Sequence, residues 1–344
     1  MIGYAMLTKN STKMFAGFVK LISKNMSFIM KENLPYLWKR ITSRNLPLFK
    51  KYEDYRLIEK DEIKNVTKED ISKATYKEKY LRPTPGFQVS SPPIVALAKK
   101  LGAFYLDKKE YAEKVFNFVR ENVKISFGEN IAMPYQDALT MLKSGKGICF
   151  EQATLTATLA RAGGIPARCR IDYLKLPDNT INVINSKYNE KLEENPFFAG
   201  LYELFAFVGG IHAGVEFYID GKWISGEPAL ENEIQVALGN PIAKLGEEAD
   251  KIGMSDDSIT LMRYDSVNSF IKLLKLAIAI PMQLFLPILE KNDELLDELR
   301  EEGKKILNDI GGIEKYNEMI KSYSINVPSI EEVKEFRNKV LLAE

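Results

Sequence analysis

The chain has 344 residues, 48 Lys and Arg against 47 Asp and Glu, and is 45% hydrophobic. That balance describes a folded chain rather than a disordered one, and a net charge of +1 argues against nucleic acid as a partner. Two cysteines cannot build a disulfide framework, their spacing with the one histidine fits no common zinc motif, and there is no Walker loop or GxGxxG, so neither a metal nor a cofactor is expected.

The charge is uneven: the first sixty residues are strongly basic and the last fifty-five lean acidic, which predicts a basic patch at one end. Residues 12–42 read as a helix with Met14, Phe15, Phe18, Val19, Ile22, Met26, Ile29 and Met30 in one apolar stripe, and with Pro35 and Pro47 breaking the run. Such a helix packs on a core or lies at an interface with anionic lipid. Lys9, Lys13, Lys20 and Lys24 interrupt any signal-peptide h-region, so the expected location is cytoplasmic, with peripheral membrane contact through the basic N-terminus and residues 276–289 as an option. Residues 82–93, rich in Pro and Ser, read as an extended linker or surface loop. The expected organisation is a basic, mainly helical extension over 1–85, a core over 94–235, and a mainly helical extension over 236–344. Helices are predicted over 94–101 and 107–123, the second lined by Tyr111, Val115, Phe118, Val119 and Val123.

Next comes Gly145-Lys-Gly147-Ile-Cys149-Phe-Glu151-Gln-Ala153-Thr-Leu155, which continues to Arg161-Ala-Gly-Gly164-Ile-Pro166-Ala-Arg168. The two glycines allow a tight turn that leaves the thiol uncrowded. A helix then starts near Cys149 and runs to about Ala162, and its N-terminal N–H groups favour a thiolate. Gly163-Gly164 cap it and Pro166 blocks continuation. Residues 167–174 read as a strand. Residues 176–209 begin polar and end aromatic, either core packing or a lid that contacts substrate. A second strand, 211–218, carries His212, the sole histidine. A thiolate nucleophile needs a base, and imidazole is the usual one near neutrality.

The run Gly-x-Cys-x-Glu-x-Ala-x-Leu, followed by Leu-x-Arg-Ala-x-Gly-Ile-Pro-Ala-Arg, resembles the transglutaminase-like superfamily, and so do His212-Ala-Gly-Val-Glu216, Gly221-Lys-Trp223 and Glu227-Pro228. The resemblance covers about 95–230. It implies an α+β, papain-like fold in which a cysteine-bearing helix packs on an antiparallel sheet. It also implies Cys149 as nucleophile, His212 as base and Glu227 as the acid that orients the imidazole. Two residues depart from the family pattern: Glu227 stands where Asp is usual, and Gly214 where Trp is common. Asp220-Gly221 is a strong hairpin turn. With Ile219 facing Lys222, Gly214 comes opposite Glu227, diagonal to His212 and on its face. The longer glutamate arm then occupies room that the glycine leaves.

For the oxyanion, the Cys149 N–H is one donor, and Tyr135 and Gln136 are candidates for a second. The chemistry implied is acyl transfer on an amide or peptide bond, with a peptide or protein as substrate, most simply a peptidase or amidase. Two readings stay open beside it: a protein-glutamine transglutaminase, and a catalytically weak scaffold that binds a protein or membrane partner.

Further along, the stretch 276–289 is the most apolar, too short and too proline-broken to span a bilayer. A helix is expected over 293–307, ended by Gly311-Gly312, and another after Pro328 with Ser329 and Glu332 as a capping box.

Overall fold

A computed structural model describes residues 29–175, 210–229, 231–247 and 257–325, with Ser23 and Ser27. The apolar stripe before residue 29, the 176–209 insertion and the helix expected after Pro328 lie outside the described residues.

The molecule is α+β. A short parallel pair, β1 (Lys124–Ile125) and β2 (Lys146–Gly147), leads into the central helix, Cys149–Ala162. Beside that helix lies an antiparallel sheet of β3 (Ala167–Lys175), β4 (Gly210–Ile219), β5 (Lys222–Gly226) and β6 (Asp257–Tyr264), in the order β5-β4-β3-β6. Strand alternation divides each strand between two faces. Ala167, Cys169 and Ile171 on β3, with Ala213, Val215, Phe217 and Ile219 on β4, are buried in the main hydrophobic core. Arg168, Arg170 and Asp172, with His212, Gly214 and Glu216, hold the alternate positions, so one face of the sheet is oily and the other charged.

Every residue of the central helix is buried. A helix enclosed on all sides must satisfy its own polar side chains, because a buried hydroxyl without a partner is costly. Thr154, Thr156 and Thr158 do so by donating to the carbonyls four residues back, at 3.0, 2.8 and 2.7 Å. Gln152 donates to the Val123 carbonyl at 2.6 Å. The helix ends at Gly163, where a Cβ would come within 2.1 Å of the Tyr111 ring, whose hydroxyl donates to the Leu159 carbonyl at 2.7 Å. Tyr111 belongs to the helix Lys108–Asn122, which starts on an Asp107 cap and buries Tyr111, Val115 and Val119 as their spacing predicts.

Three local expectations need correction. Pro35 does not break the N-terminal run: a π-helical turn, Ile29–Asn33, passes directly into the helix Leu34–Thr42. The proline occupies the second position of that helix, directly after the π-helical turn. Nor is the whole of 82–93 a surface loop. Thr84 and Phe87 close a tight bridge, Phe87 and Val89 are fully buried, and the Arg161 guanidinium lies 4.2 Å from the Phe87 ring centroid. The pattern of Pro and Ser signalled an irregular backbone, but the side chains between them are core residues. Finally, Gly147 keeps its neighbourhood open for a different reason than expected. A Cβ there would strike Met141 at 2.6 Å, so the glycine admits a methionine as well as a turn.

Residues 257–325 pack onto this core. β6 completes the sheet beside β3, and the helices Ser269–Met282, Leu286–Ile310 and Ile313–Ile325 follow. The last two are separated by Gly311 and Gly312, both in the left-handed region. These helices grip the loop that precedes the central helix. Lys275 donates to the carbonyls of Asn130 and Met133 at 2.7 and 3.0 Å, and Asp293 accepts from Ser126 Oγ and the Phe127 N–H at 2.6 and 2.8 Å. Among the described residues no single helix is long and apolar enough to cross a membrane.

Candidate active site

Cys149 is the first residue of the central helix, with Ile148 extended ahead of it. The Glu151 carboxylate turns back to accept the Ile148 N–H at 3.2 Å, half of a capping box, since Ile148 has no side-chain acceptor to complete it. Glu151 is fully buried, and burial pushes its carboxyl up against the opposing pull of Lys275, whose Nζ lies 3.4 Å away. These contacts fix the first turn and with it the position of the thiol.

His212 enters from β4. Its Nε2 lies 2.7 Å from Glu227 Oε2, and its other hydrogen-bond partner is the Cys149 thiol. With Nε2 committed to the carboxylate, Nδ1 is left for the sulfur. Burial by itself would lower the imidazole pKa, but the charges of Cys149 and Glu227 outweigh it and raise it well above the ordinary value. The same pairing acts on Glu227. Burial would raise its carboxyl, yet His212 and Arg170 together hold it below the usual carboxylate value. Cys149, His212 and Glu227 therefore form one line of contacts, buried except for a fraction of the imidazole.

The hairpin explains how Glu227 arrives there. Asp220 and Gly221 both adopt positive φ, and the register runs from Ile219 opposite Lys222 to Val215 opposite Gly226. The next step brings Glu227 beside Gly214. A Cβ on Gly214 would lie 2.9 and 3.0 Å from the two Glu227 oxygens and 3.0 Å from Arg170 Nε. The room left by the glycine is thus filled by a carboxylate and a guanidinium.

Of the two candidates for a second oxyanion donor, the Tyr135 hydroxyl is engaged elsewhere. It meets Thr154 Oγ1 in a buried cluster with Cys169 and Tyr264. Thr154 is five residues beyond Cys149, about 140° around the helix, so that cluster belongs to another face. Gln136 is buried, and among the described residues its amide nitrogen meets the Met133 sulfur at 3.8 Å.

Sequence reasoning missed two residues of this neighbourhood, Arg170 and Asp172. Asp172 is paired directly opposite His212 in the β3–β4 register. Arg170 contacts Asp172 and Glu227 together. The signal available was the alternation Arg168-Cys169-Arg170-Ile171-Asp172, three charged residues on one face of a strand. Among the described residues no cluster of His, Cys, Asp and Glu has the arrangement of a metal site.

Residues 95–228 match the family model of the transglutaminase-like superfamily, so this part of the chain is similar to a transglutaminase-like core. A solved structure from Cytophaga hutchinsonii, described as a "Putative Cysteine Protease", is 17% identical, with a TM-score of 0.31; the match covers 59% of this chain and 56% of that one, so it spans little more than half of that protein's length. No curated protein matches the chain.

Proposed function

We propose that this transglutaminase-like core is a cysteine-dependent acyl-transfer enzyme acting on an amide or peptide bond, with water as the final acceptor. The observation that supports it is the contact line from Cys149 through His212 to Glu227, assembled from a helix start and two strands. In this reading the Cys149 thiolate attacks the amide carbonyl carbon, and the oxygen becomes an oxyanion beside the first-turn N–H of the central helix, with the Gln136 amide as the second donor. The C–N bond then breaks, and the His212 imidazolium gives its proton to the departing amine, leaving a thioester on Cys149. Water attacks the thioester as neutral His212 takes its proton, which releases the carboxylic acid and restores the thiolate. Glu227 keeps the imidazole oriented and stabilises its charged form in both halves.

The test is covalent capture with peptidyl acyl-electrophile probes, followed by mass spectrometry of the labelled peptide. Labelling at Cys149 that vanishes in His212→Ala supports the reading. Labelling spread equally over Cys149 and Cys169 sinks it. Repeating turnover of a captured peptide with a primary amine present separates hydrolysis from transamidation by the product formed.

A further inference from the structure

The geometry points to Arg170 as a positioning residue of this site: its guanidinium holds the second oxygen of Glu227 and stands between that carboxylate and Asp172, so that His212 faces one aligned anion rather than two competing ones. The inference rests on the reading of Cys149, His212 and Glu227 as the reacting groups.

Glu227 has two oxygens and the site uses both. Oε2 faces His212 Nε2, while Oε1 is paired with Arg170 Nη2. Arg170 Nη1 donates to Ser225 Oγ at 2.9 Å, which fixes the plane of the guanidinium. On its other side, Arg170 Nε lies 2.7 Å from Asp172 Oδ2, a contact of charges without the alignment of a hydrogen bond. A planar fork can serve two carboxylates at once in a way that a lysine ammonium cannot.

Without such a cation, two buried carboxylates beside one imidazole compete for a proton. Burial, with the Glu227 charge adding to it, pushes Asp172 up, whereas Glu227 is held down by His212 and Arg170. The asymmetry follows from the contacts, because the aligned ones go to Glu227. Among the described residues the charged groups around the cluster are few. β3 supplies Arg168 besides Arg170 and Asp172; β4 supplies His212 and Glu216; Glu227 follows the end of β5; β6 supplies Arg263, which pairs with Glu216 at 2.9 Å, and the hydroxyl of Thr260, near Asp172. Arg120, from the helix Lys108–Asn122, reaches the Glu227 backbone carbonyl at 3.4 Å, and the Cys149 thiol lies beside His212. Arg168 is occupied by Glu216 at 2.5 Å and lies 3.8 Å from the Trp223 ring centroid, so it does not substitute for Arg170.

The test uses the full chain, with iodoacetamide as the probe of Cys149 and proton NMR of the single imidazole, whose signals need no assignment among histidines. Arg170→Met removes a cation that lowers the proton affinity of the Glu227 carboxylate, so the acid limb of the alkylation rate should move to higher pH by about one unit. Arg170→Met with Asp172→Asn removes one charge of each sign, and the limb should return to within about 0.3 unit of the parent; this pair also remains readable if Arg170→Met alone does not fold. Arg170→Lys keeps the charge and loses the fork. Its limb should stay in place while the downfield Nε2 proton of His212 broadens through faster exchange. An unmoved limb in Arg170→Met, an Nε2 signal that stays as sharp as the parent's in Arg170→Lys, or a double variant that keeps the single variant's shift would each overturn the inference. If His212→Ala itself alkylates as the parent does, the underlying triad reading falls instead.

Discussion

The two thiols of the chain are both buried and sit on adjoining elements of one core, yet their surroundings differ. Cys169 lies in mid-strand on the oily face of β3, near Thr154, Tyr135 and Tyr264. Burial pushes its thiol up to about 12, and the lowering by Arg161 and nearby hydroxyls does not restore it. Cys149 lies at the start of the central helix and shares a hydrogen bond with an imidazole whose own proton is held by Glu227. Burial therefore does not distinguish the two cysteines. A charged partner on the thiol does, and so does a second partner that keeps the first one charged.

The largest expected effect comes from removing one thiol at a time. Cys149→Ala should abolish turnover and nearly all alkylation at neutral pH, and it should change the melting temperature little. Cys169→Ala should leave both activities intact. Loss of activity from the second change and not the first would reverse the comparison.

Next in size is the imidazole. His212→Ala should slow Cys149 alkylation near pH 7 by roughly tens-fold, because a His-paired thiol titrates well below a free one, and the rates of the two thiols should converge. In the parent, the imidazole is held charged above its ordinary range, so the alkaline limb of turnover should lie above that of a free imidazole. An alkaline limb at the ordinary imidazole value would show that Cys149 and Glu227 do not act on His212 together.

Glu227→Gln keeps the shape and removes the charge. Turnover should fall by roughly 10²-fold or more, the scale of general acid–base contributions, with the fold retained. A smaller effect comes from Gly214, where any Cβ meets the Glu227 oxygens within about 3 Å. Gly214→Trp and Glu227→Asp should each impair turnover. Combined, they should do less damage than the product of the two, by a coupling of about 1 kcal/mol, because the shorter aspartate withdraws from the added side chain. Strict additivity would remove the link between these positions. Smallest of all, Tyr111→Phe removes the hydroxyl that satisfies the Leu159 carbonyl and should cost about 1 kcal/mol in denaturant unfolding, without changing the relative reactivity of the thiols.

Much of the site was legible because it is written in local signals. The turn at Asp220-Gly221 sets the β4–β5 register, and period-2 alternation then carries His212, Gly214 and Glu227 to one face. Glycines flanking a run of small residues mark the central helix and place Cys149 at its start. In each case the information spans a few residues and the backbone has few choices.

What only the tertiary structure decided are the contacts made between segments far apart in sequence. Nothing local says that β6, from beyond residue 250, pairs with β3, or that Asp172 comes opposite His212 across a connection of more than thirty residues. The same holds for Phe87, buried under Arg161, and for the Tyr135 hydroxyl, drawn to Thr154. The physical reason is that a strand's alternation fixes which side chains share a face, but its neighbour is chosen by the burial and charge pairing of the whole core. Arg170 could be read in the sequence as one more charged residue on a strand. Its position between two buried carboxylates exists only once three strands have come together.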